Sequence, residues 1–203
     1  MRSPTPNSPP RTKPAEIRRE ELMDAAQALF LDKGFNETSV DEIVKGAGVA
    51  KGTYYVYFKT KDDVLAALRE RFVARFQQRL RASGEHHPPH SWVARLDGWM
   101  EAAVHAYLDE RALHDLVFHQ LHPANDRLHQ ANPVVDDLSA LIAQGAQAGA
   151  WPAGDAHLLA VMVFSAVHGA ADSASSDPGP PDREHLVRAV QSFCRLGIGL
   201  SSR

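Results

Sequence analysis

Residues 39–58, SVDEIVKGAGVAKGTYYVYF, set two short helical stretches on either side of Gly48. Ser39 with Glu42 three residues on is a capping box, in which each side chain answers the other's free backbone N–H. The spacing predicts one helix from Ser39 through Ala47 and another from about Lys51 to Phe58. Neither is long enough to stand alone in water. Gly48 allows a tight turn between them, and Ile43, Val44, Ala47 and Val49 can lock one helix across the other, giving a helix-turn-helix.

That arrangement leaves the second helix free to enter a major groove. Its first turn offers unbonded amides to phosphate, and Gly52 permits close backbone approach. Lys51 and Lys61 bring charge for phosphates; Thr53, Tyr54, Tyr55 and Tyr57 bring hydroxyls for phosphates or base edges. Thr38 and Ser39 are further phosphate candidates, although capping already explains Ser39. Phe58 is expected in the core, with Tyr54 partly so, and Lys45 and Lys59 read as solvated charge.

The rest of the chain is punctuated as helices. Residues 1–14, rich in Pro and Ser, read as a disordered arm, because such sequence cannot bury enough apolar surface to order itself. Leu22, Ala26, Leu29 and Phe30 form a helical stripe that Gly34 ends. Thr60 and Asp63 open a fourth helix carrying Leu65, Leu68, Phe72, Phe76 and Leu80. Beyond the breaker-rich GEHHPPH at 84–90, further helices are expected at about 91–109, 111–122, 133–148, 155–173 and 183–199. Asn132–Pro133 is a start signal, with a capping side chain ahead of a proline at the first helical position; Asp155 and Asp182 are further N-caps. No segment alternates with a period of two between hairpin turns, so the fold is expected to be all-α, with about nine helices.

Charge divides the chain in the same place. The net charge of −3 hides a front, residues 1–83, with 15 Lys/Arg against 11 Asp/Glu, and a rear, 84–203, with 7 against 14. A basic front and an acidic rear suggest that only the front meets a polyanion. One cysteine, Cys194, fits a reducing cytoplasm. No run of 18 apolar residues and no secretory signal is present, so neither a membrane span nor export is expected. An enzyme is disfavoured, since no Gly-rich phosphate loop, GxSxG or HExxH occurs.

From about Glu20 to Leu65 the chain resembles the DNA-binding domain of the tetracycline-repressor (TetR) family of bacterial transcriptional regulators. The resemblance rests on AAQALFLDKGFNETSVDEIVKGAGVAKGTYYVYFKTKDDVL, and most closely on AGVAKGTYYVYFKTKDDVL. It implies DNA contacts at Thr38, Ser39, Lys51, Gly52, Thr53, Tyr55, Tyr57 and Lys61. Tyr57 departs from the family, where many members carry His. The resemblance also implies a helix-turn-helix domain at 15–60 and a ligand-binding and dimerisation domain at 61–203, with 61–83 as the connecting helix. In such a family an unknown small-molecule effector sits among helices five to eight, and the last two helices join a homodimer.

The rear of the chain supports that outline on its own. The stretch 155–173 is apolar on two faces, Leu159, Met162, Val163 and Ala166 on one, with Val161, Phe164 and Val167 toward another. A helix apolar nearly all round must be buried, and a second subunit is one way to cover it. Residues 183–199 add Leu186, Val190, Phe193 and Cys194. Trp99, Met100, Ala103, Tyr107 and Phe118 are candidates to line a ligand pocket, and would equally serve as plain core.

All 11 histidines follow residue 85. Three have a carboxylate four positions away on one helix face, as Glu101/His105, Asp115/His119 and His168/Asp172. Such pairs suit surface ion pairs, a polar pocket lining or a divalent metal such as Zn or Ni. For a metal the set is His105, Asp115, His119 and His168, with Asp172 as ligand or as partner of one. The resulting expectation is a ligand-responsive repressor acting as a homodimer on a near-palindromic double-stranded DNA operator. The alternatives are a metal-dependent regulator of the same family and an architectural DNA-binding protein.

Overall fold

The computed structural model describes residues 14–119, 132–176 and 179–200. These form nine α-helices and, among the described residues, no strand: α1 Ala15–Lys33, α2 Val40–Gly46, α3 Lys51–Tyr57, α4 Lys61–Glu85, α5 Trp92–Asp109, α6 Arg111–His119, α7 Pro133–Gln147, α8 Ala156–Ser176 and α9 Arg183–Gly197. The expected disordered arm and the end of the stretch 111–122 lie outside the described residues. The chain divides into two compact units, the first up to Arg69 with Leu116–Leu121, the second Glu70–Asp115 with His122–Arg203. The division falls inside α4, because its first two turns bury Val64, Leu65 and Leu68.

In the first unit local chemistry ends and starts each helix. Gly34 stops α1 with φ 92°, its N–H returning to Phe30 O. Ser39 and Glu42 form the full capping box of α2. Gly48, at φ 64°, turns the chain toward α3. Thr60 and Asp63 repeat the capping exchange at α4: Asp63 N–H donates to Thr60 Oγ1 at 3.2 Å, and the Lys59 and Thr60 amides donate to Asp63 Oδ2 at 2.8 and 2.9 Å. Leu22, Met23, Ala26, Phe30, Ile43, Tyr54, Phe58 and Leu65 fill the core. Each buried aliphatic or aromatic side chain of this kind contributes roughly 1.5–3 kcal/mol.

The second unit packs α5, α7, α8 and α9 around Leu96, Met100, Val104, Leu138, Ile142, Ala160, Val163, Val190 and Cys194. Asn132 Oδ1 caps α7 by accepting from Val134 N–H at 3.1 Å, and Asp182 caps α9. Trp151, in the turn between α7 and α8, donates from Nε1 to Ile142 O at 2.9 Å. Its ring lies so close over Gly145 that a Cβ there would meet Cζ2 at 2.0 Å. Carboxylates tie the helices together at their edges: Asp109 accepts from Arg79 and Arg183, Asp137 from Gln77 and Arg81, and Asp97 from Arg195.

Met162, expected on one face of α8 with Leu159, Val163 and Ala166, and Phe193 both point out. The buried face of α8 is Ala160, Val163, Val167 and Ala171, while Leu158, Val161 and Met162 are exposed. On α9, Val187, Val190 and Cys194 are buried, and Phe193 and Leu196 are exposed. The two-faced apolar pattern of α8 is real, but Met162 belongs to its outer face. This helix is apolar and long enough to cross a membrane by length and composition, with a mean hydropathy of 1.4 within Ala156–Ser175 and 22% of that window buried; its buried face packs against α5, α7 and α9.

Candidate nucleic-acid interface

The capping exchange at Ser39 fixes where α2 begins and thereby where α3 can lie. Glu42 accepts from the Ser39 backbone N–H at 2.9 Å and from its hydroxyl at 2.7 Å, and it also receives Lys33. These partners, Lys33 foremost, lower its carboxyl pKa to about 2. Behind α3, Tyr54 and Phe58 anchor the helix in the core.

What remains outward on α3 is a compact surface. Lys51, Gly52, Tyr55 and Val56 are exposed, with Thr53 and Tyr57 partly so. Gly52 faces open space, with no atom within 4 Å of a Cβ built there. Lys51 extends toward α2, its Nζ 2.7 Å from Asp41 Oδ1, and that bond raises its pKa. An exposed pair of this kind is held weakly, so Lys51 is available to a stronger anion.

Three residues expected at DNA serve the interior instead. Tyr54 is completely buried, and its hydroxyl donates to Thr60 O at 2.9 Å. Burial, more than the nearby Asp63, pushes its phenol up to about 12. Thr38 is also buried, its Oγ1 donating to Gly34 O at 2.8 Å. Lys61 turns inward to the loop between α1 and α2: Nζ donates to Phe35 O at 2.8 Å, Asn36 O at 3.3 Å and Thr38 O at 2.6 Å, and lies 4.7 Å from the Phe35 ring centroid. An ammonium has three donors, and here three carbonyls take them.

Sequence reasoning overlooked Val56, at 76% the most exposed of the large apolar side chains among the described residues. The overlooked signal was its place between Tyr55 and Tyr57, two steps from the buried Tyr54. An exposed valine on a reading helix suits the 5-methyl group of thymine.

The pocket candidates separate. Trp99, Met100, Ala103 and Tyr107 are buried in the second unit. Phe118 belongs to the first, where the Arg69 guanidinium lies 4.6 Å from its ring centroid. Of the five, only Trp99 lines a cavity of about 580 Å³ in the second unit, together with Gln77, Leu80, Arg81, Val134 and Leu141.

The metal candidates do not gather as expected either. Among the described residues no group of three or more His, Cys, Asp or Glu converges on a metal position. His105 lines a shallow cleft with Arg79, His86 and Glu101. His168 meets His114 instead, Asp115 pairs with His114 and Arg111, and Asp172 accepts from Tyr107. The side chain of His119 lies outside the described residues.

Residues 22–68 match the family described as bacterial regulatory proteins of the tetR family. The chain is 38% identical over 60 residues to the fatty acid metabolism regulator protein of Bacillus subtilis strain 168, covering 30% of this chain and 31% of the relative. It is 39% identical over 62 residues to the HTH-type transcriptional repressor NemR of Escherichia coli K12, again 30% and 31%. The matched segment thus spans about a third of the length of these curated relatives. The solved structure of a SmeT–triclosan complex superposes with a TM-score of 0.69 at 21% identity, covering 89% of this chain and 91% of that one. That likeness carries the whole helical architecture, N-terminal helix-turn-helix and C-terminal helical unit alike.

Proposed function

We propose, from the match of residues 22–68 to the tetR family of bacterial regulatory proteins, that this protein is a transcriptional repressor that binds a specific operator as a homodimer and releases it when a small effector binds. The observation that carries this reading is the outward surface of α3. It is built of Lys51, Gly52, Thr53, Tyr55, Val56 and Tyr57, held on a helix whose opposite side, Tyr54 and Phe58, is core. Lys51 and the Tyr57 hydroxyl serve phosphates, with Ser39 at the start of α2; Thr53, Tyr55 and Val56 serve base edges.

The dimer is supported by Leu158, Val161 and Met162 on α8 with Phe193 and Leu196 on α9, an apolar surface left exposed beside an otherwise full core. Contiguous exposed apolar surface marks an interaction site. A second copy would set two reading helices about one DNA turn apart and match a near-palindromic site. The effector reading draws support from the 580 Å³ cavity in the second unit, within the usual size of small-molecule pockets, and from the similarly folded SmeT, whose structure is that of a complex with triclosan. Its coupling to DNA runs through α4, whose residues are shared between the two units. Regulation of this kind takes place in the cytoplasm and asks no catalysis of the chain.

The test is selection of genomic DNA fragments by the purified protein at physiological salt. A repressor recovers a few sites with a large preference over competitor DNA. Recovery without sequence preference would instead establish the architectural alternative.

A further inference from the structure

The second unit contains a polar group that the DNA reading does not use. His114, on α6 and 8% exposed, presents Nε2 to His168 Nε2 on α8 at 3.2 Å. On the other side of the His114 ring, Nδ1 lies 3.2 Å from Asp115 Oδ1. A carboxylate only accepts, so Nδ1 carries the hydrogen, and in the neutral ring Nε2 is left with its lone pair. Tyr107 on α5 packs against both imidazoles, with ring centroids 4.8 Å from His114 and 4.9 Å from His168, and its hydroxyl donates to Asp172 at 3.1 Å. Phe72 and Phe164 flank the pair.

From this geometry we infer that His114 and His168 together form a binding site for a divalent transition metal, Zn(II) or a close relative, bridging α6 and α8. A metal bonded to both Nε2 atoms at about 2.05 Å would subtend roughly 103° between them, close to the tetrahedral angle. It would place the ring centroids roughly 5.0 Å apart, and they stand 5.1 Å apart. Two rings joined end to end by a straight N–H···N bond would stand farther apart. Asp115 holds the His114 tautomer from behind, as carboxylates do for metal-bound imidazoles. Two protein nitrogens leave the other coordination positions to water or an exogenous donor. The site is therefore an exchangeable one, unlike a closed structural zinc. It uses His168 and Asp115 from the residues first considered for a metal, and His114 in place of His105. It does not depend on the DNA reading.

The experiment is Zn(II) and Co(II) titration of the full chain without an affinity tag, with His86 and His90 in the exposed linker replaced by Ala to remove competing ligands. Calorimetry should give one metal per chain, and Co(II) should develop the visible absorption of a low-coordinate nitrogen site. His114→Ala and His168→Ala should each weaken binding at least tenfold and Asp115→Asn by about tenfold, while His105→Ala and His157→Ala leave it unchanged. Because core variants can fail to fold, the unmutated His114 and His168 are also read by ¹H–¹⁵N imidazole correlation on titrating Zn(II). Selective shifts at these two Nε2 atoms support the site. No selective shift, or binding indifferent to both alanine variants, overturns it and leaves the pair a hydrogen bond.

Discussion

Lys61 Nζ lies 2.6 Å from the carbonyl oxygen of Thr38, 23 residues earlier in the chain. With Phe35 and Asn36 it closes the loop that delivers the chain into α2. Charge-assisted bonds of this kind contribute about 1.5–3 kcal/mol. Lys61→Met should therefore lower the thermal stability of the first unit by that order. With the protein still folded at low temperature, the slope of log affinity against log salt should stay unchanged. A slope reduced by about one would return Lys61 to the phosphates.

On the proposed interface Asp41 competes with DNA phosphate for Lys51. Lys51→Ala should weaken binding to every duplex alike and reduce the salt slope by about one. Asp41→Asn should do the reverse at low salt, tightening specific and scrambled DNA by a similar factor. Fluorescence anisotropy over a salt series separates the two; an Asp41→Asn protein that binds no tighter would show that Lys51 is not a phosphate contact.

Val56 and Tyr54 are two positions apart and face opposite ways. Val56→Ala should change the preferred base by about 1 kcal/mol or more at one operator position, with the salt slope preserved. Tyr54→Phe should leave operator preference untouched and cost about 1 kcal/mol of stability for the lost bond to Thr60. Operator libraries scored on both proteins decide the matter, and a preference shift in Tyr54→Phe would contradict its buried placement.

Phe193 is 67% exposed on α9. A glutamate in that position costs nothing in a monomer and places two charges in an apolar seam in a dimer. Phe193→Glu together with Met162→Glu should halve the sedimenting mass at micromolar concentration, with helicity kept. A double variant that still sediments as the parent places the association elsewhere.

Glu42 supplies the pH dependence of the first unit. Its folded pKa, about 2, is below the unfolded value near 4.5. The capping contribution is thus complete above about 4.5 and is lost as pH falls through about 2. Melting temperature should decline across that window, and Glu42→Gln should flatten the decline. An unchanged profile in the variant would assign the acid sensitivity to other carboxylates, of which Asp63 is the next candidate, its pKa lowered by the Thr60 and Lys59 amides.

The signals that could be read from sequence were local ones. Ser39 with Glu42, Thr60 with Asp63, and Asn132 with Pro133 act within three residues, so their types and spacing contain the whole interaction. The direction of a side chain needs more. Lys61 reaches carbonyls 23 to 26 residues upstream, and backbone acceptors leave no mark in residue type. His168 meets His114 across 54 residues, whereas the four-residue rule could only pair it with Asp172. Which apolar face each of Met162 and Phe193 belongs to could not be read, because an apolar residue at helical spacing looks the same on a core face and on an exposed one.

The indole of Trp151 occupies the volume that any side chain at position 145 would need. The tryptophan is held there by its bond to Ile142, back along α7, and the chain then passes directly into α8. The direction in which α8 sets out, and with it the orientation of Leu158, Val161 and Met162, is thus gauged by the thickness of one aromatic ring laid on bare backbone. A single added carbon at Gly145 would act as a shim under that ring, and its effect would emerge on the opposite side of the helix, as a change in the set of the exposed Leu158, Val161 and Met162.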